Sequence, residues 1–333
     1  MPALPDSLPP PASTFAVDYR DGPLDALLAD PRLLAVFGFG DRVPSRHDDP
    51  RYLQVALPAP ANAGFECWRV DHPVRSGRAD GIAWSEDGQL QFGALEVPDA
   101  GGGDIEAAAA RAYARLQDWL AASDYPHPLR LWNYLDAITV GEGDDERYRR
   151  FCVGRAQGLG RALAPTELPA ATAIGHPEPT GRLQLYWLAA KTPGTALENP
   201  RQLQAWRYPR QYGPQAPGFA RALLPATDAM PLLVSGTAAV VGHASLHGDS
   251  LEAQFGEVLA NLGSLVDAAR ALRPGLPDRP GTGTRLKVYV RDRDALPTVD
   301  ALLQQRLPGV PRLLLHGHVC RRELAVEIDG VHA

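Results

Sequence analysis

From position 81 the chain alternates between two kinds of apolar periodicity. GIAWSEDGQLQFGALEVP (81–98) places apolar residues at every second position on either side of a DG pair, predicting strand, turn and strand. GDIEAAAARAYARLQDWLAA (103–122) switches to a helical period, with Asp104 in the N-cap position. LRLWNYLDAI (129–138) predicts a strand and DDERYRRFCVGRAQGLGRAL (144–163) a second helix. ATAIGH (171–176) and RLQLYWLAA (182–190) read as two more strands.

The second half runs through the same order. PLLVSGTAAVVGH (231–243) is strand-like, and GDSLEAQFGEVLANLGSLVDAAR (248–270) is a long amphipathic helix. RLKVYVRD (285–292) is a strand and DALPTVDALLQQRL (294–307) a helix. PRLLLHGHVC (311–320) and RELAVEIDGV (322–331) close the chain as an expected antiparallel strand pair. The GD that opens the first long helix at 103–104 recurs at 248–249, and IGH in one half meets HGH in the other. The repetition predicts an α+β protein of two related modules, each a mixed sheet packed by helices, with the functional site at their junction. The expected boundaries are a flexible Pro/Ser/Ala-rich arm at 1–14, a module at 15–195, a connecting segment at 196–228 and a second module at 229–333.

Composition narrows the functional classes. A chain of 333 residues is long enough for a substantial core. The formal net charge of -6 argues against general affinity for a phosphate backbone. Three cysteines (67, 152 and 320) lie far apart without a CxxC pair, so neither a disulfide framework nor a zinc ribbon is indicated. The first residues lack the basic start and apolar core of a signal peptide, and no apolar run reaches the ~20 residues of a bilayer span. The expectation is a reduced cytoplasmic protein without membrane or nucleic-acid partners, monomeric or a small homo-oligomer.

The connecting segment holds ENPRQLQAWRYPRQYGP (198–214), in which Arg201, Arg207 and Arg210 lie among Trp206, Tyr208 and Tyr212. These residue types suit a planar or anionic ligand, a solvated loop or a nucleic-acid contact, and the acidic net charge disfavours the last. Near the C-terminus, HGHVC puts His316, His318 and Cys320 on one strand face, imitating a metal site without an evident fourth ligand. His243 and His247 share a helical spacing in a glycine-rich context. In ELAVEID, alternation places Leu324, Val326 and Ile328 on one face and Glu323, Ala325, Glu327 and Asp329 on the other.

SGTAAVVGH, AQFGEVLANLGSLVDAA, LKVYVRD and the closing Arg312 and Glu327 make the second half resemble the RidA-like (YjgF-like) family. That resemblance implies a chorismate-mutase-type fold and, from the trimers those proteins form, ligand pockets at module junctions. LYWLAAKTPGTALENPRQ, WRYPRQYGP, LLVSGTAAVVGHASLHGD and AVEIDGV together resemble the chorismatase family, over roughly residues 50–331. Those enzymes act on chorismate and release pyruvate. Some branches hydrolyse it to a dihydroxycyclohexadiene carboxylate; others form 3-hydroxybenzoate, or 3- and 4-hydroxybenzoate together, which feed quinone and pigment pathways.

The resemblance implies a cofactor-free, metal-free enzyme whose small-molecule substrate is chorismate. It marks Glu327 as the acid that protonates the enolpyruvyl methylene. Cys320, seven residues before it, marks the hydroxybenzoate-forming side, and Ala239 is a branch-dependent position in the SGTA strand. The chemistry asks for cationic clamps on two carboxylates, and arginine's planar fork suits them. Arg312 is the first expected clamp, by analogy with RidA-like proteins, with Arg207, Arg210, Arg201, Tyr208 and Tyr212 as the others. The alternatives are the diol-forming hydrolase and, in another class, a non-catalytic or deaminating RidA-like module that binds small carboxylates.

Overall fold

A computed structural model describes residues 14–59, 64–99, 103–160 and 163–333. The expected arm at 1–14 lies, except for Thr14, outside the described residues, as do positions 161–162 at the end of the expected second helix. The first sheet has four strands in the order β1 (Phe15–Arg20), β4 (Phe65–Val70), β2 (Leu33–Phe39) and β3 (Tyr52–Val55), with the short helix α1 (Leu24–Leu28) between β1 and β2.

Two six-stranded sheets follow, and they share one topology. The first is built from β5 (Arg75–Ala79), β6 (Ile82–Glu86), β7 (Leu90–Pro98), β8 (His127–Asp136), β9 (Ala170–His176) and β10 (Arg182–Ala190) in the order β5-β6-β7-β10-β8-β9. The second uses β11 (Thr195–Leu197), β12 (Ala222–Leu224) and β13 (Leu232–Ala238). After a small hairpin, β14 (Val240–Val241) and β15 (Ala244–Ser245), it continues with β16 (Arg285–Val290), β17 (Arg312–His316) and β18 (Val326–His332). Its order, β11-β12-β13-β18-β16-β17, repeats the first. In each, the last strand of the module inserts at the centre and the two strands beyond it pair in parallel, β8 with β9 and β16 with β17. Helices α2 (Ile105–Ala122) and α3 (Arg147–Leu159) cover the first of these sheets; α4 (Leu251–Leu272) and α5 (Leu296–Arg306) belong to the second. The expected duplication is thus present, with Asp104 capping α2 by accepting from the Ala107 amide at 3.2 Å.

Three expectations change. The region 15–70 is a sheet of its own rather than part of the first duplicated unit. The closing strands do not pair with each other, because β16 lies between them. The last strand starts at Val326, not at Arg322, since Arg321–Glu323 form a turn.

Strand alternation sorts the core. Leu183, Leu185 and Trp187 of β10 face α2 and α3, whereas Tyr186 and Leu188 face a central core shared by all three sheets. In β18, Val326 and Ile328 pack with α4 and α5, so Glu327 and Asp329 point to the opposite side, toward the first duplicated unit. The open edge of β9 is covered by the second unit: the amides and carbonyls of Gly175 and His318 exchange two hydrogen bonds at 2.8 and 2.9 Å. Among the described residues no helix is long and apolar enough to cross a membrane.

Candidate active site at the junction

A cavity of about 390 Å³ opens where β9 meets β13 and β18, within the ~300–1,000 Å³ range of small-molecule sites. Its walls come from three parts of the chain. Asn133, Thr172, Tyr148 and Arg155 belong to the first duplicated unit, Tyr208, Tyr212 and Arg221 to the connecting segment, and Gly236, Cys320, Arg321 and Glu327 to the second unit.

Glu327 is 5% exposed and stands opposite Ala238 and Tyr289 in the sheet. Among the described residues its carboxyl accepts no hydrogen bond. Space for it exists because residue 236 is glycine: a β-carbon there would overlap the Glu327 Oε1 position. Burial, then the negative charge of Asp329, pushes Glu327 up to about 8, against the opposing pull of Arg130, Arg221 and Arg291. At neutral pH this carboxyl group holds its proton and faces the cavity, as a general acid requires.

The cationic groups are of two kinds. Arg149 and Arg322 line the mouth but answer to carboxylates, Glu146 at 3.9 Å and Glu142 at 2.9 Å. Arg155, Arg221 and Arg321 are paired with no carboxylate among the described residues. Arg155 (5% exposed) donates to the Gly218 carbonyl at 2.6 Å, and Arg221 (6% exposed) to Leu203 O at 2.8 Å and Tyr208 Oη at 2.7 Å. The Nε of each is buried without a partner among the described residues. Arg321 donates to His243 O at 2.8 Å and lies 4.0 Å from the Tyr212 ring centroid and 5.0 Å from that of Tyr208. Unused buried donors on guanidinium groups with no carboxylate in ion-pair contact among the described residues suit an anionic ligand.

Cys320 lines the cavity beside Glu327, and burial with the Glu327 charge pushes its thiol up to about 12. It is therefore a neutral, weakly polar wall rather than a thiolate nucleophile. His316 and His318 are otherwise engaged: His316 Nε2 lies 3.2 Å from the Arg291 carbonyl, and the His318 backbone pairs with Gly175. His243 contacts Tyr212 Oη at 3.1 Å, and His247 lies 3.4 Å from Glu257.

Comparison with known proteins gives the geometry a family. The model "Chorismatase FkbO/Hyg5-like, N-terminal" matches residues 66–189. A chorismatase from Streptomyces rapamycinicus is 38% identical over 279 residues, 80% of this chain and 82% of the relative. The chain belongs to the chorismatase family. A 3-hydroxybenzoate synthase from Streptomyces hygroscopicus is 35% identical over 291 residues, 84% of each chain. A chorismatase crystal structure superposes with a TM-score of 0.83 at 31% identity, covering 97% of this chain and 98% of its own. The family resemblance read from the motifs is thereby borne out.

Within this family member, the structure gathers Glu327, Cys320, Tyr208 and Tyr212 into one cavity and leaves five other expected residues outside its lining. Arg312 begins β17, two strands away from β18, where Asp300 of α5 holds its guanidinium at 2.7 Å. Arg201 pairs with Glu257 of α4 at 2.6 Å. Arg210 is exposed and grips Asp144 with two donors, at 2.8 and 2.5 Å. Arg207 is exposed near the Trp206 ring. Ala239 is wholly buried in the core of the second unit, while its neighbours Ala238 and Val240 face the cavity. The lining arginines that lack a carboxylate partner among the described residues, 155, 221 and 321, were missed, as were Arg149 and Arg322. Arg155 carried a usable signal, because Arg147, Phe151 and Arg155 recur at intervals of four on the buried face of α3.

Proposed function

We propose that the protein converts chorismate to 3-hydroxybenzoate and pyruvate, with 4-hydroxybenzoate as a second product and without a cofactor. Glu327 is the acid that protonates the enolpyruvyl methylene carbon, which makes the ether a competent leaving group. The ring 4-hydroxyl oxygen then displaces the ether at the neighbouring carbon, giving an arene oxide that opens and aromatises to the 3-isomer. Elimination gives the 4-isomer. Pyruvate and hydroxybenzoate together contain all the atoms of chorismate, so no water is consumed, whereas the diol-forming hydrolysis adds one.

The observation that carries this reading is the pairing, in one cavity, of a buried carboxyl group whose surroundings favour its neutral form with three guanidiniums that have no carboxylate partner among the described residues. A dianion supplies the charge that Arg155, Arg221 and Arg321 lack, and Tyr208 and Tyr212 flank its ring. Cys320 occupies a wall position from which it keeps water off the intermediate, favouring aromatisation over hydrolysis. The relative that carries the name 3-hydroxybenzoate synthase supports the aromatic branch. Incubating purified protein with chorismate and resolving the products by chromatography tests the reading; absence of pyruvate would sink it.

A further inference from the structure

Directly behind Glu327, on the same face of β18, lies a wholly buried carboxylate. Two residues along a strand span about 6.6 Å, so Asp329 and Glu327 are near neighbours in a dry interior. Donors from the first duplicated unit and from β16 converge on one oxygen of Asp329. Its Oδ2 accepts from Thr172 Oγ1 at 2.8 Å, Tyr289 Oη at 3.0 Å and Trp132 Nε1 at 3.1 Å, with an Arg130 nitrogen 3.3 Å away. Its Oδ1 is buried without a hydrogen bond among the described residues, and the Lys287 ammonium lies 3.9 Å from it. The anion is thus anchored at one oxygen and only partly quenched at the other.

The anchor is also part of the cavity wall. Thr172 lines the cavity, donates to Asp329 and accepts from the Gly236 amide at 3.0 Å. Gly236 is the residue whose missing side chain makes room for the Glu327 carboxyl. One hydroxyl therefore ties the buried anion to the slot in which the acid sits.

We propose that Asp329 is a positioning residue, a fixed buried anion that holds the Glu327 carboxyl in its neutral form and, through Thr172, keeps its slot open. The physical basis is burial first and, added to it, like-charge repulsion in a low-dielectric interior: a second negative charge beside Asp329 is costly, which further favours the proton on Glu327. The charged groups facing Glu327 from the other elements are Arg130 of β8, Arg221 before β12 and Arg291 after β16, all cations that act in the opposite sense. Glu146 and Glu323 stand in the cavity wall, and Cys320 and Tyr148 face it as neutral groups. Asp329 is thus the nearest anion opposing three cations. The role rests on Glu327 acting as the acid.

The test reads the proton on Glu327 directly. The carboxyl stretch of Glu327, assigned by its loss in Glu327→Gln, is followed by difference infrared spectroscopy across pH in the wild type, Asp329→Asn and Arg130→Gln. Asp329→Asn is expected to ionise Glu327 at least about one pH unit lower than the wild type, and Arg130→Gln to move it upward. The alkaline limb of kcat is expected to shift with the spectroscopic midpoint in each variant. Thr172→Val keeps the charge and is expected to lower kcat several-fold while leaving the midpoint in place. Circular dichroism establishes which variants fold, and Arg130→Gln decides the matter if Asp329→Asn does not. An unmoved midpoint in a folded Asp329→Asn or Arg130→Gln protein overturns the role of Asp329. Because the infrared titration needs no turnover, a failure of the proposed reaction is seen separately, as missing pyruvate from the wild type.

Discussion

The Cα of Gly236 faces the Glu327 carboxyl so closely that a β-carbon on residue 236 would overlap Oε1. The glycine has an ordinary backbone conformation; what demands it is the approach of the acid. Gly236→Ala is therefore expected to leave the protein folded, since the carboxyl end can swing aside, but to displace the acid from its aim. A misplacement of about 1 Å costs on the order of 10²-fold in rate. Steady-state kinetics should show kcat reduced by about that factor with KM changed far less, and an unchanged kcat would show that the slot does not set the position of the acid.

The acid form of Glu327 prevails below about 8 and is lost as pH rises through that value. The rate of pyruvate release is expected to be flat near pH 6–7 and to fall about tenfold per unit well above 8. The same group carries a stability signature. Its folded value stands above the ordinary 4.5, so its contribution to stability is fully present below about 4.5 and disappears as pH rises through about 8. Glu327→Gln should accordingly gain in melting temperature relative to the wild type between pH 5 and pH 9. A gap between the two proteins that does not change with pH would contradict a buried, protonated carboxyl.

Arginine substitutions separate the cavity wall from the surface. Arg155→Met and Arg221→Met are each expected to lower kcat/KM by about 10–10² fold, the worth of a charge-assisted hydrogen bond of roughly 1.5–3 kcal/mol. Arg207→Ala, Arg210→Ala and Arg312→Ala should stay within about threefold of the wild type, because their guanidiniums lie outside the cavity lining. A large loss in the Arg312 variant together with none in the Arg155 and Arg221 variants would reverse the assignment.

The order of elements from position 81 onward, the duplication and the side of the closing strand on which Glu327 lies were legible from periodicity and motif. Alternation in ELAVEID separated the face of Glu327 from that of Val326 and Ile328, and the helices packed where that separation required. The four-stranded sheet at 15–70 was not foreseen, because the periodic reading began only at position 81. Nor did the sequence reveal which arginines face the cavity. In 198–214 Arg207 and Arg210 are exposed and Arg201 is held by Glu257, whereas the lining residues Arg155, Arg221 and Arg321 come from three separate segments, α3, FARALL and VCRREL. A buried cation leaves no compositional cluster. Its partners become visible only in three dimensions.

Cys320 offers a test of product choice. Removing the thiol in Cys320→Ala leaves room beside Glu327 for a water molecule to enter. The share of the ring diol is expected to rise at the expense of hydroxybenzoates, with oxygen from labelled water appearing in the diol alone. A product ratio equal to that of the wild type would end the role given to this cysteine.

The measurement that bears most directly on the account is the product analysis of chorismate incubated with the wild type and with Glu327→Gln in ¹⁸O-labelled water. The expected result is pyruvate in an amount equal to 3- and 4-hydroxybenzoate together, with the 3-isomer present and no solvent oxygen in the aromatic products' ring hydroxyl. The rate in Glu327→Gln should be lower by at least about 10² fold. Undiminished turnover in Glu327→Gln, or no pyruvate from the wild type, would contradict it.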